Sequence, residues 1–189
     1  AVFLKHLITE ENYEKLIYLD SDIYFFNDFS FLFDELNHYN ILLTPHWRSH
    51  KSPIDTFVFT DGIYNAGFLA INYKAIDMLD WWAEACLFKC KKDKKKGFYD
   101  DQAYLNLVPV YLEGVKVIKH KGCNVASWNI TGAKRLMSNG EVLIDGVFPI
   151  IFIHFTRGEI GTITAILQGY DSGLQQYLEH YRNVLLTYN

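Results

Sequence analysis

Leu16-Ile17-Tyr18-Leu19-Asp20-Ser21-Asp22-Ile23-Tyr24-Phe25-Phe26 runs four apolar residues straight into two carboxylates and out into an aromatic stretch. A short, continuous apolar run bounded by acids predicts a strand buried on both faces, the kind found in parallel α/β sheets. Asp20 and Asp22 then fall at its carboxyl end, where open α/β sheets place their ligands. In an extended chain positions i and i+2 share a face, so both carboxylates can turn toward one hard cation. A Mg²⁺ or Mn²⁺ ion held there would bridge the phosphates of a nucleotide and neutralise charge as a diphosphate leaves. Taken alone, an Asp-x-Asp pair serves equally as a turn or a solvated strand end.

Elements flank this strand on both sides. Val2, Phe3, Leu4, Leu7 and Ile8 predict a short helix over residues 1–9, and Ile41 to Thr44 a second strand stopped by Pro45. His46 to Asp55 reads as a polar loop. Tyr64-Asn65-Ala66-Gly67 leads into a third strand, Phe68 to Asn72. From Ala75 to Cys90 the apolar residues recur at three- and four-residue steps, which predicts an amphipathic helix with lysines and Gly97 at its end. Asp100 or Asp101 can cap a short helix that Pro109 ends. Val115 to Ile118 predicts a strand, residues 122–140 a loop, and Phe148 to Phe155 a last apolar strand delivering His154. Ser172 with Gln175 reads as a capping box for a final helix that buries Leu174, Tyr177, Leu178, Tyr181 and Leu185.

The chain has 189 residues, enough for one domain with a sizeable core, and its 50% hydrophobic and 21% charged composition is that of a globular protein. A net charge of −4 argues against nucleic-acid binding, which needs a clustered excess of Lys and Arg. One run is basic, Lys89 to Lys96. It reads as a solvated helix end, or as a patch touching anionic lipid or an acidic acceptor. Cys86, Cys90 and Cys123 form no CxxC pair, so a reducing, cytoplasmic compartment is expected. No segment of about 18 apolar residues exists, so any membrane contact is expected to be peripheral.

Four short motifs occur in order: LIYLDSDIYFFNDFSFLFDEL over residues 16–36, Tyr64-Asn65-Ala66-Gly67-Phe68-Leu69, Asp101-Gln102-Ala103-Tyr104-Leu105-Asn106 and Ile153-His154-Phe155. Together they resemble glycosyltransferase family 8 over roughly residues 1–160. The resemblance implies an α/β GT-A fold with a mixed, mainly parallel sheet flanked by helices. Residues 1–189 would be a single catalytic domain whose first βαβ nucleotide-binding units are missing, because the family's metal motif follows about a hundred residues that hold base and ribose.

The same resemblance implies a role for each matching residue. Asp20, Asp22 and His154 would be metal ligands, a mixed oxygen and nitrogen set that favours Mn²⁺ over Mg²⁺. Asn65, Ala66 and Gly67 would line the donor sugar, Asp101 would accept hydrogen bonds from its hydroxyls, and Gln102 would lie beneath the anomeric carbon. The family's late His motif has a Gly three residues on and then a Lys. Here His154-Phe155-Thr156-Arg157-Gly158 places the Gly one residue later and no Lys follows, which leaves Arg157, with Gly158, to meet the diphosphate.

The implied reaction is transfer of a hexose from a nucleotide diphosphate sugar to a hydroxyl of a saccharide, lipid or protein, with retained configuration, as in cell-surface polysaccharide biosynthesis. Two other classes share some of these residues. One is a non-catalytic module that binds sugar or a partner; the other is a metal-dependent nucleotidyltransferase, which would release pyrophosphate and for which no Gly-rich phosphate loop is present. Each site residue also has a plain structural role open to it: a helix cap for Asp101, a turn for Asn65-Ala66-Gly67, a core position for His154. Trp128 lies in a loop and could stack on an acceptor sugar.

Overall fold

Phe68, Leu69, Ala70 and Ile71 have no solvent-accessible surface, because their strand, Tyr64–Asn72, is central in a four-stranded sheet. Lys15–Leu19 pairs with it antiparallel on one side and Ile41–Pro45 antiparallel on the other; Val115–Val117 then joins Ile41–Pro45 in parallel. The computed structural model describes residues 1–159 and 161–187. They divide into two compact units, Ala1–Asp20 with Phe29–His46 and Asp55–Lys119, and Ser21–Asp28 with Trp47–Ile54 and the described residues from His120 on.

The first unit holds this sheet. Leu4 and Ile8 of the helix Val2–Thr9 and Met78, Leu79 and Trp82 of the helix Ile76–Phe88 share one apolar cluster with Ile41, Leu43, Leu69 and Ile71. The α/β class with a mixed sheet is as expected. Its balance differs: one of the three pairings is parallel, because Tyr64–Asn72 runs against both of its neighbours. Lys15–Leu19 is also not buried on both faces. It has one neighbour in the described sheet, and Tyr18 and Leu19 are exposed.

Other boundaries moved for local reasons. The long helix ends at Phe88, and Gly97 instead closes a separate 3-10 turn, Lys94–Lys96, in the left-handed region with φ of 75°. That turn joins a two-residue hairpin, Lys92–Asp93 with Phe98–Tyr99. Pro109 sits in the first turn of the helix Val108–Tyr111 where an end was expected, since its missing N–H is no loss there.

In the second unit Ile23–Phe25 pairs antiparallel with Phe152–His154, and Arg135–Ser138, Glu141–Ile144 and Phe148–Pro149 form a three-stranded meander. The expected strand over 148–155 is therefore two, and the expected loop 122–140 contains a strand. The final helix runs Gln175–Thr187 after a 3-10 turn, Ser172–Leu174, so Ser172 lies in the turn. Leu174, Leu178 and Tyr181 pack with Val142, Ile144, Ile153 and Phe155; the Phe155 and Tyr181 rings stack at 4.3 Å. Among the described residues no helix is long and apolar enough to cross a membrane.

Candidate active site

The strand pairing sets the first cluster. Leu19 is the last residue in register with the central strand, opposite Phe68, and the next amide, Asp20 N–H, donates to the Gly67 carbonyl at 2.8 Å. On the other edge the register slips between Leu43 and Pro45. Asn65, Ala66 and Gly67 thus occupy the end of the central strand, where the ladder lapses on both sides. Irregularities of this kind free backbone groups for other partners and are common beside binding sites.

Those groups are met by side chains of the same unit. The Gln102 carbonyl oxygen accepts the Ala66 amide at 3.1 Å and the Asn65 amide group at 3.3 Å, while the Gln102 amide group donates to the Asp61 carbonyl at 2.7 Å. The Asn65 carbonyl oxygen accepts the Gly67 amide at 3.1 Å. His46 completes the set: Nδ1 lies 3.0 Å from the Gly62 carbonyl, so it carries the proton, and Nε2 accepts from Asn65 at 3.4 Å. In sequence His46 falls in the predicted polar loop 46–55; only its position directly after an apolar strand hints at burial.

Tyr18, Asp20, Asn65, Ala66, Gly67, Tyr99, Asp100, Asp101 and Gln102 line one open cleft of about 150 Å³. Three of the four expected motifs therefore reach one cleft within a single unit. The Tyr18 hydroxyl donates to Asp20 Oδ1 at 2.8 Å, and burial, followed by the bond to Asp20 and its charge, pushes the phenol up to about 12. Burial also raises the Asp101 carboxyl above the usual carboxylate range; its own backbone amide opposes this, and the charges of Asp100 and Asp20 add to it. Asp101 precedes the 3-10 helix Gln102–Leu107 but makes no side-chain cap hydrogen bond, while its carbonyl accepts the Trp82 indole at 3.0 Å. The cleft is thus mainly polar, with carboxylates beside a backbone open enough to meet hydroxyl groups.

In the second unit His154 is the last residue of its strand and sits opposite Ile23. The Phe155 amide donates to the Asp22 carbonyl at 2.8 Å, and His154 N–H to Val125 at 2.9 Å. This ladder brings His154 Nε2 to 2.8 Å from Asp22 Oδ1, with His154 buried. The Trp128 ring stands edge-on to the imidazole at 5.2 Å. Its turn, Ser127–Asn129, is held by Thr162, whose hydroxyl accepts the Ser127 amide at 3.0 Å, and by Arg135, which donates to Ala126 and Asn129. Arg157 and Gly158 follow in an exposed bend, where Gly158 has φ of 105°.

The donor set of Asp22 and His154 fits a divalent cation. Two ligands at about 2.1 Å from an ion and at right angles to each other lie about 3 Å apart, close to the observed pair. Asp20 is two residues along the chain from Asp22, a span of at most about 7 Å.

The family model of Glycosyl transferase family 8 matches residues 1–159. Two Bacillus subtilis (strain 168) proteins are similar in sequence: YfnF, 29% identical over 176 residues, covering 88% of this chain and 57% of the relative, and YfnD, 33% identical over 159 residues, covering 82% and 50%. The chain thus spans about half the length of these relatives. The crystal structure of the glycosyltransferase GlyE in Streptococcus pneumoniae TIGR4 superimposes with a TM-score of 0.50 at 15% identity, over 96% of this chain and 46% of that one, a likeness of fold. On the match over residues 1–159, the chain belongs to glycosyl transferase family 8.

Proposed function

We propose that this chain carries the catalytic centre of a retaining, metal-dependent hexosyltransferase, which moves a sugar from a nucleotide diphosphate donor to a hydroxyl of a saccharide or lipid. The observation that carries the reading is the Asp22–His154 pair at 2.8 Å, in a chain whose family uses such donors. Asp22, His154 and Asp20 are the metal ligands, and their oxygen and nitrogen donors favour Mn²⁺ over Mg²⁺. The bound ion would supply charge neutralisation for the departing diphosphate.

The chain's own residues bind and orient. Asn65, Ala66 and Gly67 line the donor sugar, with Gly67 allowing close backbone approach. Asp101 accepts from sugar hydroxyls, a role supported by its place in the cleft and by a carboxylate not spent on a cap. Gln102, its amide fixed by Ala66 and Asp61, lies under the anomeric carbon and holds the cleft floor in one geometry, so attack needs little reorganisation. A primary amide is a poor nucleophile, which favours attack from the face that the diphosphate leaves. Arg157 and Gly158 meet the diphosphate.

Incubation with Mn²⁺ and a panel of nucleotide diphosphate sugars tests the reading. Metal-dependent release of nucleoside diphosphate, or metal-dependent nucleotide binding, is expected. If neither occurs, the chain is a binding module and the reading fails; pyrophosphate released from a nucleoside triphosphate would indicate nucleotidyl transfer instead.

A further inference from the structure

Lys89 to Lys96 holds six lysines against Asp93 alone. The first unit displays most of this run on a hairpin whose lysines lie over aromatic rings. Lys89 Nζ lies 4.2 Å from the Phe98 ring centre, and Lys92 and Lys94 lie 5.2 and 5.0 Å from that of Tyr99. Lys91, Lys92 and Lys94 also meet Asp93, Asp100 and Asp61. Lys95 and Lys96 at the turn are exposed, and among the described residues neither pairs with a carboxylate.

Apolar side chains flank the lysines. Leu87 and Phe88, at the end of the helix Ile76–Phe88, are 86% and 85% exposed, and Phe59 is 76% exposed on the short helix Val58–Asp61, which packs against the hairpin. Residues of this size in water forgo most of the stabilisation that their burial would bring. A polyanion in solution would satisfy the lysines and leave Leu87, Phe88 and Phe59 wet. A membrane interface with acidic headgroups takes both kinds of side chain: lysines in the headgroup layer, leucine and phenylalanine at the acyl boundary.

We propose that this face of the first unit docks on an anionic phospholipid surface, with Leu87 and Phe88 inserted and the hairpin lysines in the headgroup layer. The proposal is independent of the transfer reaction. Sedimentation with phosphatidylcholine vesicles, with and without about 30% phosphatidylglycerol, tests it. The protein is expected to partition at least about tenfold more strongly onto the acidic vesicles, and to be released as salt rises from about 0.05 to 0.5 M. Leu87→Ser with Phe88→Ser, and separately Lys95→Glu with Lys96→Glu, should each lower partition about tenfold. All four positions are exposed, and circular dichroism checks that the variants stay folded. Equal binding to both vesicle types overturns the proposal. So does acidic-vesicle binding that a soluble sulfated dextran reproduces and that Leu87→Ser with Phe88→Ser leaves unchanged, which would mark a polyanion site. If a variant misfolds, the comparison of lipid and salt on the wild-type protein decides alone.

Discussion

The side-chain carbonyl of Gln102 accepts the Ala66 amide proton at 3.1 Å, joining the start of one helical turn to the open end of the central strand. With the Asn65 amide and the Asp61 carbonyl also engaged, this one side chain satisfies three groups in a largely buried place. Gln102→Ala leaves the Ala66 amide and the Asp61 carbonyl without it. A buried polar group left unsatisfied costs about 1–3 kcal/mol, so unfolding in denaturant should show a loss of about 2 kcal/mol or more. Asn106→Ala, which removes an acceptor from the more exposed Ile63 amide, should cost less. Equal losses would show that Gln102 does not organise the cleft.

Arg135 and Asp171 form a buried ion pair at 3.0 Å, with side-chain exposures of 7% and 3%. Burial raises the Asp171 carboxyl against the pull of Arg135, and burial lowers the Arg135 guanidinium against the pull of Asp171. Desolvation therefore outweighs attraction on both partners. Asp171→Ala strands a buried cation and should destabilise by about 3–5 kcal/mol. Replacing both partners by apolar residues of similar volume should recover little of that loss, because the buried Ala126 and Asn129 carbonyls then lose the donor that Arg135 gives them. A double variant as stable as the wild type would contradict this.

The thiols should separate by reactivity. Burial pushes Cys123 far up, and Cys86 is pushed up to about 11 by burial and then by the neighbouring Cys90, which is itself exposed. A raised pKa means a smaller thiolate fraction, and the thiolate is the reactive form. At pH 8 a disulfide reagent should modify Cys90 first, Cys86 slowly and Cys123 only on unfolding. Reaction of Cys123 at the rate of Cys90 in folded protein would contradict its burial.

Much of this was legible in the sequence because local and global signals agreed. The apolar run 16–19, the strand at Ile41 and the period of the Ile76–Phe88 helix all found their elements. Asp22 and His154 were recoverable because each ends or adjoins a short apolar strand, and ladder register then brings them together. Strand direction was not legible: an apolar run looks the same whether its neighbour is parallel or antiparallel. Asn139-Gly140 was a signal that could have been read. Both residues have positive φ, 51° and 84°, and join Arg135–Ser138 to Glu141–Ile144, a turn for which Asn-Gly is the usual sequence. His46 acts through the Gly62 carbonyl, well along the chain, and Arg135 through carbonyls of the turn just before it; residue type gave no hint of those partners.

Two glycines should refuse a side chain. A Cβ on Gly122 would meet the Pro149 carbonyl, and one on Gly132 the Trp47 carbonyl, both closer than a carbon and an oxygen can approach. Forced overpacking costs about 1–3 kcal/mol. Gly122→Ala and Gly132→Ala should each lower the thermal midpoint, whereas Gly140→Ala meets no atom and should lower it only through the strain of its positive φ. A larger loss at Gly140 would contradict the packing.

Titration of the protein with Mn²⁺, followed by the electron paramagnetic resonance signal of the free ion, tests the metal centre most directly. One saturable site per chain is predicted, lost in Asp22→Ala and in His154→Ala while both variants remain folded by circular dichroism. No saturable binding, or a site that survives both substitutions, would contradict a metal centre at Asp22 and His154.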